Sequence, residues 1–432
     1  MGVRVDGVGN KLTISSNVQV GSDGSTTNEP TEDSYGLSVN YGKGHNVTIN
    51  FGASVIANGE GCIGANFDFG SNEMGDRVEY RGSYIRGEYD EEQGEFVNIG
   101  FTKDGALQGA LVDTFDVKGT LSGEKAIYIS PNALVKTINI LGNTADYSFD
   151  VTGDIISEWN PVGVEYFYTR KYYGENPYEG LKPILPANAN LDDYRTKLNF
   201  NGDRTFTDNI IGPYGLIMNI KSNAALTTDN PASDKFSYVN VHCLNIESNA
   251  TLNVNNIVMA KDGYGSINVA NGASFKLGNE SENKIGAVLI AFNGEDDNDG
   301  ISTSGIINNL GTVDFQNGEL ALKPDAGFYD KETTIQVMSN SKDEDKETFD
   351  RIWFVDINGE KVEAEIESDT NTKSSLNSNF VDVTNTLSMT AVQGTGANSN
   401  LVYITTERDF DDVELDEDEE VLGDIIDRKS VV

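Results

Sequence analysis

The stretch MNIKSNAAL, residues 218–226, carries the pattern that decides the fold of this chain. Apolar residues occupy its first, third and last places, the sixth place is Asn or Gly, and the seventh is Ala. Further copies are VTINFGASV at 47–55, IYISPNALV at 127–135, LNIESNATL at 244–252 and INVANGASF at 267–275. A sixth copy, LTISSNVQV at 12–20, has Val18 in place of the Ala. We call this pattern the nine-residue repeat.

Each place in the nine-residue repeat predicts a backbone conformation. Asn and Gly share a tolerance of positive φ, so their exchange at the sixth place indicates a turn through the left-handed region. Apolar residues two apart before that turn indicate one buried face of a strand. The Ala after the turn is small, and the next apolar place begins another strand. The repeat therefore predicts one corner between two short strands.

The spacing of the copies predicts how these corners are assembled. The copies that begin at Met218, Leu244 and Ile267 are 26 and 23 residues apart, a period typical of stacked repeat architectures. Each layer, or coil, of such a stack buries its apolar face against its neighbours. The sequence therefore predicts an all-β fold, a right-handed parallel β-helix or solenoid. An antiparallel sandwich is the alternative, because it also uses alternating strands with Asn and Gly turns.

Charge and cysteine content narrow the classes of partner. The 432 residues carry 69 acidic and 31 basic side chains, a formal charge of -38, which argues against nucleic acid and against anionic membrane surfaces. No apolar run approaches the length needed to span a membrane. The N-terminus lacks a signal-peptide pattern, so we expect the chain to be an interior piece of a longer protein. Cys62 and Cys243 are expected to be two buried free thiols rather than a disulfide.

Changes in composition divide the chain into five segments. They are β-helix coils at 1–157, an aromatic and Pro-rich insertion at 158–196, further coils at 197–325, a C-terminal cap at 326–408 and an acidic linker at 409–432. Within the cap, the segments at 334–337, 352–355 and 362–366 read as strands of an antiparallel module, with a hairpin turn at Asn358-Gly359.

The insertion is the strongest candidate binding site in the sequence. Its prolines exclude it from a central sheet, and loops that leave a rigid scaffold commonly carry binding sites. The candidate binding residues are Tyr166, Phe167, Tyr168, Tyr172, Tyr173 and Tyr178. The alternative is that these rings pack back onto the coils. Trp159, where the insertion rejoins the coils, is expected to pack.

Three segments resemble the passenger region of bacterial autotransporters, most closely the β-helix of subtilisin-like serine protease autotransporters. They are GALVDTFDVKGTLSG at 109–123, GIINNLGTVDF at 305–315 and NLVYITTERDF at 400–410. The resemblance implies a chain at the cell surface or secreted across the outer membrane of a Gram-negative bacterium. It also implies a C-terminal β-barrel in the full-length protein.

Three functions are compatible with this resemblance. The first is a non-catalytic β-helix whose loops adhere to a protein or glycan on a host or bacterial surface. The second is a stalk or scaffold for a subtilisin-like protease domain upstream of this chain. The third is a polysaccharide-cleaving β-helix enzyme, which would need a defined pair of carboxylates. Fold transfers by resemblance better than molecular function does, and we expect no enzymatic activity in this segment.

The chemistry-bearing residues give little support to catalysis. The chain has only two histidines and lacks the Ser motif of a subtilisin-like triad. His45 is expected in a turn before a strand. Both His45 and His242 are expected to be ordinary surface or packed residues. Asp113 and Asp116 are three apart, which in a regular strand places them on opposite faces.

One acidic loop has some features of a cation site. The loop with Asp297 and Asp299 has oxygen donors at alternate positions, as calcium loops do, but its twelfth position is Ile306 instead of Glu. We expect no cofactor, and calcium at these two residues is the alternative.

Overall fold

Parallel strands form most of the computed structural model, and the fold is all-β. Its described residues are 1–6, 9–22, 24, 30–40, 42–68, 88–90, 95–97, 110–130, 133–144, 146–159, 190–229, 238–282, 284–293, 301–302, 307–325, 329, 332–340, 345–355, 374–378, 387–394 and 396–408. Within them there are strands and short 3-10 helices and no α-helix. The chain divides into unit 1, Met1–Asn219, and unit 2, Ile220–Val432.

Unit 1 is built from rows of parallel strands. Its strands are β1 (Val3–Val5), β2 (Lys11–Ile14), β3 (Val18–Gly21), β4 (Tyr35–Val39), β5 (Gly42–Ile49), β6 (Ser54–Asn58), β7 (Ile63–Phe67), β8 (Glu88–Asp90), β9 (Glu95–Val97), β10 (Ala110–Val117), β11 (Thr120–Ile129), β12 (Leu134–Leu141), β13 (Val151–Ser157), β14 (Thr196–Asn201), β15 (Arg204–Phe206) and β16, which ends at Ile220 (Ile210–Ile220). One parallel row is β2-β5-β10-β12-β14. A second contains β1, β4, β7 and the end of β11, and a third contains β3, β6 and the start of β11.

Unit 2 also contains rows of parallel strands, and some of its strands are antiparallel, as is the pair β8-β9 of unit 1. Its strands are β17 (Ala225–Thr228), β18 (Tyr238–Ile246), β19 (Thr251–Val254), β20 (Ile257–Ala260), β21 (Ser266–Val269), β22 (Ser274–Leu277), β23 (Gly286–Phe292), β24 (Ile301–Ser302), β25 (Ile307–Asn309), β26 (Thr312–Asp314), β27 (Gly318–Pro324), β28 (Glu332–Gln336), β29 (Met338–Ser339), β30 (Arg351–Phe354), β31 (Ser374–Ser378), β32 (Leu387–Gln393) and β33 (Leu401–Arg408). The parallel rows are β17-β19-β22-β26, then β18-β21-β25-β29, then β18-β20-β23-β27-β30.

The left-handed turn predicted from the nine-residue repeat is confirmed in four copies. The residues at the sixth place have φ values of 74° at Gly52, 66° at Asn223, 60° at Asn249 and 79° at Gly272. In each of these copies the N–H of the following Ala donates to the carbonyl three residues before it, at 2.9–3.1 Å. Positive φ at the third residue of such a turn is the type II geometry, which Gly and Asn adopt most readily.

The sixth copy departs from the prediction. Asn17 is not left-handed, and strand β3 begins at Val18 itself. Where the other copies bury an Ala almost completely, Val18 is half-buried. The larger side chain therefore starts the next strand directly, without the four-residue turn.

Among the corners shortened from four residues to two, two depend on a glycine that lies against the neighbouring coil. A Cβ on Gly119 would lie 2.4 Å from the carbonyl oxygen of Ala53, and a Cβ on Gly311 would lie 2.5 Å from that of Ala273. Each glycine therefore stacks directly against a turn of the nine-residue repeat in the neighbouring coil.

Apolar side chains fill the interior of each unit. Strands β19, β21 and β22 each alternate half-buried and buried residues, as the period-2 pattern predicts. Rings from successive coils meet edge to face, Phe67 with Phe115 at 5.2 Å and Phe275 with Phe315 at 5.6 Å between centroids. Burial of each such ring contributes about 1.5–3 kcal/mol to stability.

One buried residue breaks this apolar pattern. Asn309 lies in register with Val269 of the neighbouring coil and is fully buried. Its amide oxygen and nitrogen have no hydrogen-bond partner among the described residues. A buried polar group without a partner costs about 1–3 kcal/mol, so Asn309 destabilises its coil.

The strands of the C-terminal segment pair in both directions. Strands β28, β33, β32 and β31 form an antiparallel ladder. The segment at 352–355, expected in the antiparallel module, instead supplies most of β30, which pairs in parallel with β27. The hairpin turn expected at Asn358-Gly359 and the strand at 362–366 lie outside the described residues.

Candidate functional site

The site residues chosen from the sequence lie outside the described part of the structure. This holds for Tyr166, Phe167, Tyr168, Tyr172, Tyr173 and Tyr178, and for the calcium candidates Asp297 and Asp299. Within the described residues, no group of three or more His, Cys, Asp or Glu side chains is placed to hold a metal ion.

Trp159, at the edge of the insertion, packs as predicted. Its side chain is 1% exposed, and its Nε1 donates to the carbonyl oxygen of Tyr194. Arg195 Nε donates to the carbonyl oxygen of Tyr214 at 3.0 Å. Hydrogen bonds from these two side chains to backbone carbonyl oxygens therefore fix both ends of the insertion to unit 1.

His45, Asp113 and Asp116 differ in part from expectation. His45 lies within β5 and is fully buried, so it is not the turn residue that was expected. A β-bulge in β10 beside β5 shifts the register around Asp113, and both Asp113 and Asp116 are partly exposed. A bulge adds a residue to one strand, which removes the expected placement on opposite faces.

Each of these carboxylates already has a partner on the neighbouring strand. Asp113 Oδ1 pairs with Lys136 Nζ at 2.7 Å, and Asp116 Oδ1 accepts from Asn139 Nδ2 at 2.8 Å.

The two cysteines are free. Cys62 is fully buried as expected, whereas Cys243 is partly exposed. The Sγ of Cys243 lies 3.7 Å from Ser266 Oγ and 3.4 Å from Asn245 Oδ1. The prediction of two buried thiols is therefore wrong for Cys243.

Each unit contains a series of hydrogen-bonded polar side chains on the partly exposed side of a parallel row, which we call its polar ladder. In unit 1 the Nδ2 of Asn139 donates to Asp116, that of Asn199 to Asn139 and that of Asn219 to Asn199, at 2.8–2.9 Å. In unit 2 Asn268 donates to Asn245 and Asn308 to Asn268, each at 2.8 Å. Sequence reasoning missed these ladders. Their signal was Asn at the second place of three copies of the nine-residue repeat.

The described feature best suited to contact a ligand is an exposed aromatic pair in unit 1. The rings of Phe51 and Tyr147 have centroids 5.0 Å apart and planes inclined by 31°. Phe51 is 37% exposed and Tyr147 is 49% exposed. We call these two residues the aromatic pair.

Phe51 is held by a turn of the nine-residue repeat. It occupies the second position of the turn closed by the hydrogen bond from Ala53 N to the Asn50 carbonyl at 3.1 Å. The following residue, Gly52, is left-handed. In the other copies whose left-handed turn is described, the equivalent positions are Ser222, Ser248 and Asn271. The turn therefore forms with a polar residue in this place, and the fold does not require Phe51.

Tyr147 is held by a short hydrogen-bonded loop. Thr144 N donates to the Tyr147 carbonyl at 2.9 Å, and Tyr147 N donates to Thr144 Oγ1 at 3.1 Å. Two residues further on, Phe149 N donates to Asn143 Oδ1 at 3.1 Å. These bonds fix the backbone on both sides of the ring.

The guanidinium group of Arg204 holds the same loop in place. Its guanidinium lies 4.5 Å from the centroid of the buried Phe149 ring, an arrangement with cation–π attraction. It also donates to the carbonyl oxygens of Phe149 and Leu141, at 3.3 and 2.9 Å. Burial lowers the pKa of Arg204 and the charge of Asp150 opposes that shift. The backbone that carries the exposed Tyr147 is therefore held in a defined position.

A second polar cluster lies in unit 2. Tyr264 Oη donates to Asp325 Oδ2, and Tyr329 Oη donates to the Asp325 carbonyl at 2.6 Å. Burial raises the pKa of Asp325. Burial, together with the charge of Asp325, raises the pKa of Tyr329. The polar groups of this cluster are hydrogen-bonded to one another, so we interpret the cluster as a structural contact.

Comparisons with known proteins return no relative. No family model, curated protein or solved structure matches this chain. Among the described residues, no helix is long and apolar enough to cross a membrane.

Proposed function

We propose that this chain is a non-catalytic surface scaffold, a right-handed parallel β-helix of the autotransporter passenger type that displays side chains for adhesion. Three parallel rows in each unit support the β-helix. The coil periods of 26 and 23 residues, seen for example between Thr227 and Asn253 and between Asn245 and Asn268, support it as well. Such stacks present long ordered surfaces to partners.

The observation that carries the adhesive role is the aromatic pair. Aromatic side chains combine a large apolar contact area with a fixed geometry, and Tyr is enriched at interfaces. The other described copies of the turn place Ser or Asn where this copy has Phe51. We therefore attribute Phe51 and Tyr147 to contact with another surface.

A bead-binding assay tests this function. Fluorescent beads coated with the purified chain are applied to cultured epithelial cells and to Gram-negative bacteria, with albumin-coated beads as the reference. The proposal expects the chain-coated beads to be retained on at least one of these surfaces well above the reference. Retention equal to the reference on every surface would contradict the adhesive role.

A further inference from the structure

Resting on the proposed adhesive function, we propose that the aromatic pair binds a neutral saccharide of a surface glycan. The hexopyranose ring has one face made of C–H groups, and that face packs on an aromatic ring while the hydroxyl groups remain hydrated. Two rings with centroids 5.0 Å apart and planes inclined by 31° pack against each other with an offset, so each ring keeps one outer face of the size of a single sugar ring.

The polar residues beside the aromatic pair complement sugar hydroxyl groups. Thr144, Asp146 and Ser148 flank Tyr147 in the loop and are exposed. The Tyr147 hydroxyl itself both donates and accepts hydrogen bonds. An apolar platform bordered by donors and acceptors is the arrangement that recognises a ligand with one apolar face and a polar rim.

Charge argues that the saccharide is neutral. The chain carries a formal charge of -38, which repels nucleic acid and glycans that bear carboxylate or sulfate groups. Within the described residues near the pair, Asp146 and Asp150 are balanced by Arg204 and Lys118, so no local excess of positive charge favours an acidic ligand. A neutral hexose avoids this repulsion.

Size argues against a protein as the primary ligand. A stable protein interface buries about 800 Å² on each partner, far more than two partly exposed rings supply. A contact with a single sugar ring matches the extent of the pair. A protein ligand is therefore the competing outcome that the experiment must detect.

The repeat provides substitutions with a structural precedent. Phe51→Ser places in this turn the residue that Ser222 and Ser248 supply in the equivalent turns, so the corner is expected to form unchanged. Tyr147→Ser removes the second ring and keeps the backbone bonds of the loop. Leu310→Ser is the matched control, because Leu310 is an exposed apolar residue, 61% exposed, at a corner in unit 2.

Ligand-observed saturation-transfer NMR with the full chain provides the test. The probes are lactose, maltose, cellobiose and N,N′-diacetylchitobiose as neutral saccharides, with sialyllactose as the acidic comparison. We expect saturation transfer to at least one neutral probe, strongest at C–H protons of one sugar face, and weaker transfer to sialyllactose. We expect Phe51→Ser and Tyr147→Ser each to weaken binding about tenfold, the effect of losing one ring contact, and Leu310→Ser to leave it unchanged.

Two results would overturn the saccharide assignment. One is that none of the neutral probes shows transfer, and the other is that the ring variants bind a probe as well as the unmodified chain does. The bead assay separates this failure from failure of the adhesive function. If beads bind cells but binding resists enzymatic removal of surface glycans and is abolished by protease treatment of the cells, the adhesive function stands and the ligand is a protein.

Discussion

Replacement of Asn309 by Val is predicted to stabilise unit 2. Asn309 is fully buried with both amide atoms unpaired among the described residues, and its neighbour in register, Val269, shows that the site one coil away accepts Val. The substitution removes a penalty of about 1–3 kcal/mol for unsatisfied polar groups. Val is close to Asn in size, so we expect a net gain of about 1–3 kcal/mol without overpacking.

The assay for Asn309→Val is equilibrium urea unfolding followed by circular dichroism. The expected result is a higher urea midpoint with an unchanged slope, which identifies a change in stability rather than in the denatured state. Asn308→Val is the matched control, because Asn308 is the exposed neighbour that donates to Asn268 at 2.8 Å. That variant is expected to be neutral or slightly destabilising. An Asn309→Val midpoint at or below that of the unmodified chain would refute the placement of Asn309 in the apolar interior.

Three further predictions concern the corners and one ion pair. Gly311→Ala is expected to destabilise by about 1–3 kcal/mol, since the new Cβ would meet the Ala273 carbonyl; an unchanged thermal midpoint would argue against the two-residue corner. Asn249→Gly is expected to be tolerated and Asn249→Ala to cost about 1–2 kcal/mol, because φ is 60° there; equal melting of the two variants would argue against the left-handed turn. Burial alone would raise the pKa of Glu247, but hydrogen bonds from Lys221 and Ser222 lower it below its ordinary value of 4.5. This stabilisation is present above pH 4.5 and is lost as the pH falls through the lowered pKa, so the stability difference between the unmodified chain and Glu247→Gln should shrink on acidification. Urea midpoints of both proteins at about pH 7 and about pH 3 measure that difference, and a constant difference would contradict the ion pair.

The local fold of the corners was predictable because it depends on residue type at one place. Gly52, Asn223, Asn249 and Gly272 all take the left-handed conformation that the Asn or Gly exchange predicts. The prediction was wrong at Asn17, where Val18 starts a strand directly. A β-branched residue in place of Ala was the visible sign of that difference.

Features that depend on contacts between distant segments were not predictable. Nothing in the local sequence pairs Phe51 with Tyr147, because a loop returns the second ring to the turn that carries the first. The bulge at Asp113 arises from register against β5 and leaves no periodic signal. The partial exposure of Cys243 could be inferred only from its place beside the polar ladder, which requires the stacking of strands to be known.

The central claim is that successive coils stack in parallel and in register. It can be tested by introducing one cysteine opposite the existing Cys243. Cys243 lies in register with Ser266 on the adjacent parallel strand, with Cys243 Sγ 3.7 Å from Ser266 Oγ. Neighbouring positions on paired strands lie within the range of Cα separations that a disulfide bridges, about 4.4–6.8 Å. The measurement is peptide mapping by mass spectrometry after mild oxidation of the Ser266→Cys variant, with Ser274→Cys, whose partner in register is Thr251, as the control. Stacking in register predicts a bond from Cys243 to the new thiol at position 266 and none to that at position 274. Absence of the first bond, or equal formation of both, would contradict it.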